Sequence, residues 1–335
     1  MKPCMLIIAI MLVGAAWAVS FTPEVHSVIM LDAHFYSGEA ANDGVYDTTN
    51  RYQVRKAAFS LEGTLQDNIR YAMEAGVATC VGSGDQLRLM DASLLYRLTP
   101  NISVGVQQGH ILRGFSAITE CPARLGLEKP VFATAFGACH PLGAIVEGYF
   151  ELDGNMGLQA ELALLNGVNG TLDGEHEYNI GLIFETPLPG LSVGGSYDHV
   201  ARQYYDEQFS QYSEDGYRAV AGVNYQNHGL WVTGEYYTGE SFERDDQTMD
   251  AWYAQAGYDI ATGWQPLPTV QPYAGVESWD KDTDTEALYQ YVEAGLNLKL
   301  SAWTKLRCAY RTLIETPDGV TEEPSGVTIR LQTGF

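Results

Sequence analysis

Leu158-Gln159-Ala160-Glu161-Leu162-Ala163-Leu164 is the stretch on which the reading of this chain turns. Extended backbone points successive side chains to opposite faces. Leu158, Ala160, Leu162 and Leu164 therefore share one face, while Gln159 and Glu161 share the other. The same arrangement recurs upstream, where Ala57, Phe59 and Leu61 oppose Lys56, Ser60 and Glu62. It recurs downstream, where Trp252, Ala254, Ala256 and Tyr258 oppose Tyr253, Gln255 and Asp259. The polar faces carry repeated charges, and aromatic residues gather near the segment ends. Lipid on one side and water on the other explains that better than a soluble core does.

Sixteen such segments are predicted, near 25–37, 52–65, 68–79, 86–99, 101–113, 142–153, 156–166, 177–187, 191–202, 217–226, 230–240, 249–260, 270–279, 288–300, 304–314 and 326–335. The connections between them sort by parity. After even segments they are tight, as at Gln66-Asp67, Thr99-Pro100, Gly154-Asn155, Pro189-Gly190, Asn227-His228-Gly229 and Ala302-Trp303; only Ala261–Thr269 reads as longer. After odd segments they are long and acidic, as at Gly38–Asn50, Asn169–Glu177, Gln203–Gly216, Glu243–Gln247, Asp280–Glu286 and Thr316–Pro324. Short turns on one rim and long loops on the other are how bacterial outer-membrane barrels are built. The expected fold is thus all-β: a sixteen-stranded antiparallel transmembrane β-barrel with long external loops.

Both ends of the chain fit an exported protein. Met1, Lys2 and Pro3 precede an apolar run from Met5 to Val13, and Ala16-Trp17-Ala18 supplies the small residues of a cleavage site. Residues 1–18 read as a signal peptide, and 19–335 as the barrel. Phe335 closes an alternating terminal strand, the kind of ending that barrel-assembly machinery recognises. No stretch between them approaches the length of a membrane-spanning helix. With 42 acidic residues against 19 lysines and arginines, a net charge of −23, nucleic acid is not an expected partner. The thiols Cys80, Cys121, Cys139 and Cys308 fit no zinc pattern. Cys121 and Cys139 fall in one long loop and are paired first, with Cys80 as an alternative partner; Cys308 shares the lipid face of Leu306 and Tyr310.

Several fragments resemble the phosphate-selective porin O and P family. They are Arg55-Lys56-Ala57-Ala58-Phe59-Ser60-Leu61-Glu62-Gly63, Asp91-Ala92-Ser93-Leu94-Leu95-Tyr96 with Val104-Gly105, and Leu164-Leu165-Asn166-Gly167. Further along come Phe184-Glu185-Thr186-Pro187, Gly234-Glu235-Tyr236, Trp252-Tyr253-Ala254-Gln255-Ala256-Gly257-Tyr258 and Gly295-Leu296-Asn297. Each is short; their shared order from Arg55 to Phe335 carries the likeness. The resemblance implies a trimeric outer-membrane porin whose long third loop, here Gly114–Pro141, folds into the pore. Arg113, Arg124 and Lys129 are then candidates to face the constriction. The family's basic track is largely missing, with Ala58, Gln108 and Gly275 at positions where it carries cations, and the seventh segment turns Gln159 and Glu161 inward.

Parity places Lys56, Arg70, Arg97, Arg218, Lys299, Arg307, Arg311 and Arg330 in the lumen. It places there also Glu62, Glu74, Asp91, Glu147, Glu151, Glu161, Glu185, Asp198, Glu235, Asp259, Glu277 and Glu293. Pairs such as Glu62 with Arg70 and Glu293 with Arg307 are expected to stiffen the wall. The acidic remainder predicts passive passage of small hydrophilic solutes and ions with a weak cation or neutral preference. The alternatives are a plugged surface barrel and an anion (phosphate) selective porin.

No metal-hydrolase motif, nucleophile elbow or phosphate loop occurs, so no enzyme and no cofactor are expected. A rim hydrolase using His34, His110 or His140 with Ser37 or Ser116 is the weaker competing reading. Asp280, Asp282, Asp284 and Glu286 alternate in one external loop but lack the glycine and distal glutamate of a calcium loop. They read as solvated, with divalent bridging to lipopolysaccharide as the other option. Tyr204, Tyr205, Phe209 and Tyr212 form an aromatic loop cluster, read as loop packing or as a solute-filtering lid.

Overall fold

A computed structural model describes residues 23–37, 51–78, 87–119, 123–134, 140–166, 176–205, 211–240, 248–283, 288–316 and 325–334. The strands are β1 (Glu24–Ser37), β2 (Arg51–Leu65), β3 (Ile69–Ala78), β4 (Arg88–Thr99), β5 (Ile102–Gln108), β6 (Leu142–Leu152), β7 (Met156–Asn166) and β8 (His176–Glu185). They continue as β9 (Leu191–Tyr205), β10 (Gln211–Asn227), β11 (Leu230–Glu240), β12 in two pieces (Thr248–Tyr258 and Ile260–Trp264), β13 (Leu267–Asp280), β14 (Leu288–Lys299), β15 (Thr304–Glu315) and β16 (Ser325–Gly334). Each pairs antiparallel with the next, and both pieces of β12 pair with β13. β1 pairs with β2 on one edge and with β16 on the other, from Val28 opposite Gly334 to Ser37 opposite Ser325. The sheet therefore closes into a sixteen-strand barrel with no free edge.

The tight rim follows from turn chemistry. Gly154 and Asn155 have φ of 76° and 64°, and His228 and Gly229 have 48° and 81°. Positive φ at both central residues is the turn geometry that matches the twist of two paired strands, and Asn and Gly tolerate it best. Ala261–Thr269, expected as a longer connection, is instead an extension of the hairpin. Ala261 pairs with Thr269 and Trp264 with Leu267, leaving Gln265-Pro266 as the turn. Proline sits where no ladder donor is needed, so the one exception to the parity rule disappears. The expected loop Gln203–Gly216 is likewise shortened, because β9 and β10 stay paired out to Tyr205 opposite Gln211.

The outer face carries the apolar set of every strand. Leu31, Phe35, Leu162, Ile180 and Trp252 are exposed, as a lipid-facing belt requires. Their neighbours Asp32, Glu161, Asn179 and Tyr253 are buried inside the ring. Bulges interrupt this alternation at Met30/Leu31 against β2 and at Glu74/Ala75 against β4.

β5 ends at Gln108 rather than near residue 113, and the reason lies inside the barrel. From Gly109 the chain turns inward and runs through α1 (Phe115–Ile118) and a 3-10 turn (Val131–Thr134) before rejoining the wall at β6. Its backbone is held by inward side chains of strands on the far side of the ring. That places the described residues of the third loop within the lumen.

Candidate functional site in the barrel lumen

The third loop is bound to the inner wall in three consecutive stations. At the first, Leu112 donates its backbone N–H to Glu161 at 2.9 Å. Arg113 reaches Asp198 through Nε at 2.8 Å and Glu177 at 3.3 Å, and Asn179 donates to the same Asp198 oxygen at 3.0 Å. Burial works against the Arg113 charge, but Asp198 and Glu177 outweigh it and raise its proton affinity. Ile111 packs on Ala163 and Leu165, and Leu112 and Phe115 pack on Ile183.

At the second station Glu235 accepts the backbone N–H groups of Phe115 (2.5 Å) and Ser116 (3.0 Å), together with the Tyr237 hydroxyl at 3.0 Å. Ser116 Oγ and the Tyr237 hydroxyl are 2.5 Å apart. Phe132 is enclosed by Tyr237, Tyr253 and Met249. A wall carboxylate that accepts several loop N–H groups satisfies donors that a short loop cannot pair with itself.

Arginines make the third station. Arg307 donates through Nε to Asn297 at 2.9 Å and through one Nη to the carbonyls of Arg124 (2.9 Å), Leu125 (2.9 Å) and Gly126 (2.5 Å). Arg330 forks onto Asp32 with two 2.7 Å bonds and donates to the Leu127 carbonyl at 2.5 Å and to Glu128. Glu128 also accepts from Arg55 at 2.5 Å. Burial raises the Glu128 carboxyl, but Arg330 and Arg55 overcome that and hold it at about 2.

These contacts place most of the sequence-predicted residues. Glu161, Glu235, Arg307, Arg330 and Arg113 converge on the loop. Arg113 is thus buried against the wall carboxylates rather than turned toward open lumen. Arg124 donates to the Thr119 carbonyl at 3.0 Å. Lys129 lines a small cavity with Glu128, Gln255, Gly275, Glu277 and Arg311. Lys56 pairs with Glu74 at 2.6 Å, and Asp91 meets His140 at 2.7 Å. Arg97 is exposed, close to the tight rim. Both expected wall pairs are replaced by others. Arg70 pairs with Glu147 while Glu62 meets His26 at 3.1 Å, because Glu62 lies opposite Ala72 and not Arg70. Register sets Glu293 opposite Arg311 and Asn297 opposite Arg307, so the Glu293–Arg307 pair gives way to Glu293–Arg311 at 3.8 Å.

Arg55, Asp32, Glu128, Glu177 and Asn297 were not among the sequence-predicted lumen residues. Arg55 escapes parity because it is the extra residue of the bulge that takes Met30–Lys56 pairing to Leu31–Val54. Glu177 falls where the expected loop and the expected strand meet, and β8 begins one residue earlier, at His176.

The competing constellations come apart. Ser116 belongs to the Glu235–Tyr237 group, whereas His34 bridges Thr328 at 3.0 Å and Gln53 at 2.7 Å. Asp280 accepts the Asp282 backbone N–H at 3.2 Å, a local turn bond. Tyr204 and Tyr212 pair within β9 and β10. Cys308 is a free, exposed thiol. Residues 1–18, Cys80, Cys121, Cys139, Phe209, Asp284, Glu286 and Phe335 lie outside the described residues.

No family model matches the chain, and no curated protein matches it in sequence. In structure it is similar to the outer membrane channel DcaP of Acinetobacter baumannii, with a TM-score of 0.65 at 12% identity, covering 93% of this chain and 97% of that one. It is similar also to OmpT, an outer membrane protein of Vibrio cholerae, in its trimer form (TM-score 0.60, 13% identity, 94% and 99% covered). A third is the anion-selective porin from Comamonas acidovorans (TM-score 0.61, 11% identity, 94% and 99% covered). At these identities the likeness establishes the fold, which is the closed barrel of outer-membrane channel proteins.

Proposed function

We propose that this chain is a porin of the bacterial outer membrane that passes small hydrophilic solutes and ions by diffusion, with a weak preference for cations or neutral solutes. One observation carries the reading: a long loop lies inside a closed barrel and is bound to its wall on many strands, from Glu161 on β7 round to Arg55 on β2. A loop held in this way narrows a lumen without depending on a moving part. The selectivity rests on which charges remain available to a permeating ion. Arg113, Arg307 and Arg330 are buried and engaged with carboxylates or loop carbonyls. Glu62, Glu151 and Glu185 keep exposed carboxylates against the exposed Arg97, and Arg70 is offset by Glu147. Unpaired charge of one sign is what biases a pore.

Membership of the phosphate-selective O and P family, a trimeric assembly, contact with lipopolysaccharide, a cleaved signal over residues 1–18 and recognition through Phe335 belong to the same proposal. Phosphate as cargo does not, since Arg113, Arg307 and Arg330 are tied to the wall and the loop and form no open basic track.

Planar-bilayer recording in a salt gradient tests it. Ohmic steps with a reversal potential of cation sign, or near zero, support the reading. Marked anion selectivity, or block of chloride current by phosphate, overturns the selectivity. Absence of any conductance from folded protein makes the barrel a plugged one and overturns the porin reading.

A further inference from the structure

We propose that Asp91, His110 and His140 form a binding site for one divalent transition-metal ion of the zinc type, clamping both ends of the third loop to the barrel wall. The proposal does not depend on the pore reading. His110 stands two residues beyond the end of β5, and His140 two residues before β6 begins. The loop stem is closed between them by a Gly109 N–H to Pro141 carbonyl bond of 3.1 Å. Asp91 lies on the adjoining strand, where Ala92 pairs with Gln108 and Gln108 in turn with Leu142. Three remote pieces of sequence thus meet at one point on the rim opposite the tight turns.

The geometry fits a metal better than a simple stem contact requires. One ligand atom from each of the three residues lies within 4.8 Å of the others. His140 Nδ1 is 2.7 Å from Asp91 Oδ1, and the two imidazole rings are 4.8 Å apart and tilted by 59°. Ligand bonds of about 2.0–2.2 Å at tetrahedral angles put ligand atoms roughly 3.3 Å apart. On binding, the His140–Asp91 separation of 2.7 Å would open to that spacing, and the longer separations, within 4.8 Å, would close to it. Gly109 leaves the stem room beside the carboxylate. A Cβ there would fall 2.8 Å from Asp91 Oδ1, so glycine lets the stem backbone approach the carboxylate. The Asp91 side chain keeps 30% of its surface exposed, which leaves an entry path, while that of His140 keeps 9%.

Two imidazoles and one carboxylate select zinc, copper(II) or nickel over calcium and magnesium, which prefer all-oxygen shells. Three protein ligands also leave a coordination position for water or for an incoming ligand. The adjacent Lys56 is paired with Glu74, which lies opposite Asp91 on β3, so the neighbouring positive charge is offset.

The test uses the full chain, folded in detergent, stripped with chelator and titrated with Zn²⁺ alone by calorimetry, then with Co²⁺ by visible absorption. One metal per chain is expected, with the intense visible bands of low-coordinate cobalt. His110→Gln and His140→Gln should each weaken binding on the order of 100-fold, and Asp91→Asn comparably. His26→Gln removes the only histidine of the Glu24–His26–Glu62 group near the tight rim and should leave binding unchanged. If His140→Gln does not fold, His110→Gln decides alone, since it leaves the Asp91–His140 hydrogen bond in place. The proposal is overturned if the folded protein binds no metal, or if binding survives His110→Gln or is lost in His26→Gln.

Discussion

Replacing Arg330 by methionine removes the hub that joins β16, β1 and the third loop. The guanidinium is 1% exposed and Asp32 is 3% exposed. Four donor contacts vanish together: two to Asp32, one to the Leu127 carbonyl and one to Glu128. Glu128 keeps Arg55, but Asp32 is left as a buried charge whose one strong partner is gone. Breaking a buried ion pair from one side costs about 3–5 kcal/mol. The apolar double replacement Arg330→Met with Asp32→Leu removes the stranded charge and should regain about half. The remainder is the unpaired Leu127 carbonyl, about 1–3 kcal/mol. Urea unfolding in lipid vesicles, followed through Trp231, Trp252, Trp264, Trp279 and Trp303, gives both figures by linear extrapolation. A loss under about 1 kcal/mol for Arg330→Met, or no recovery in the double variant, would refute the assignment of Arg330 as the loop's principal anchor.

Three further perturbations probe other parts of the fold. Glu128 is held at about 2 against an ordinary value of 4.5, so its contribution is fully present above about pH 4.5 and is lost as pH falls toward 2. The wild type should lose about 2–3 kcal/mol across that window beyond what Glu128→Gln loses, allowing for partial exposure of the side chain; parallel pH curves for the two would count against it. A Cβ at Gly181 would lie 2.4 Å from the Leu112 carbonyl, whereas one at Gly234 finds its nearest neighbour at 3.5 Å. Gly181→Ala should therefore cost about 1–3 kcal/mol and raise single-channel noise, with Gly234→Ala nearly silent, and equal effects would place the loop elsewhere. Leu162 is 52% exposed on the outer face. Leu162→Arg should cost about 2–4 kcal/mol in vesicles, and an unchanged urea midpoint would mean that this face does not meet lipid.

The alternation around Leu158–Leu164 and the sorting of connections by parity were enough to specify the strands, their number and their facing. Those properties are local, since a period of two and a tight turn are written in adjacent residues. Sequence failed where a long-range contact overrode the local pattern. The bulge at Met30/Leu31 turned Arg55 inward against parity, and only register with β1 reveals it. Register also replaced the expected Glu293–Arg307 pair, since a two-dimensional reading of faces does not say which inward residues stand opposite one another. The third loop could be located by its length, but not its path. Which carboxylates and arginines hold it depends on closure of the ring, which brings Arg330 to Asp32 and Arg55 although nearly the whole chain separates it from them. The chemistry of the lumen is accordingly a property of the closed barrel: sequence supplied its charges, and the tertiary structure decided which of them face one another and which still face water.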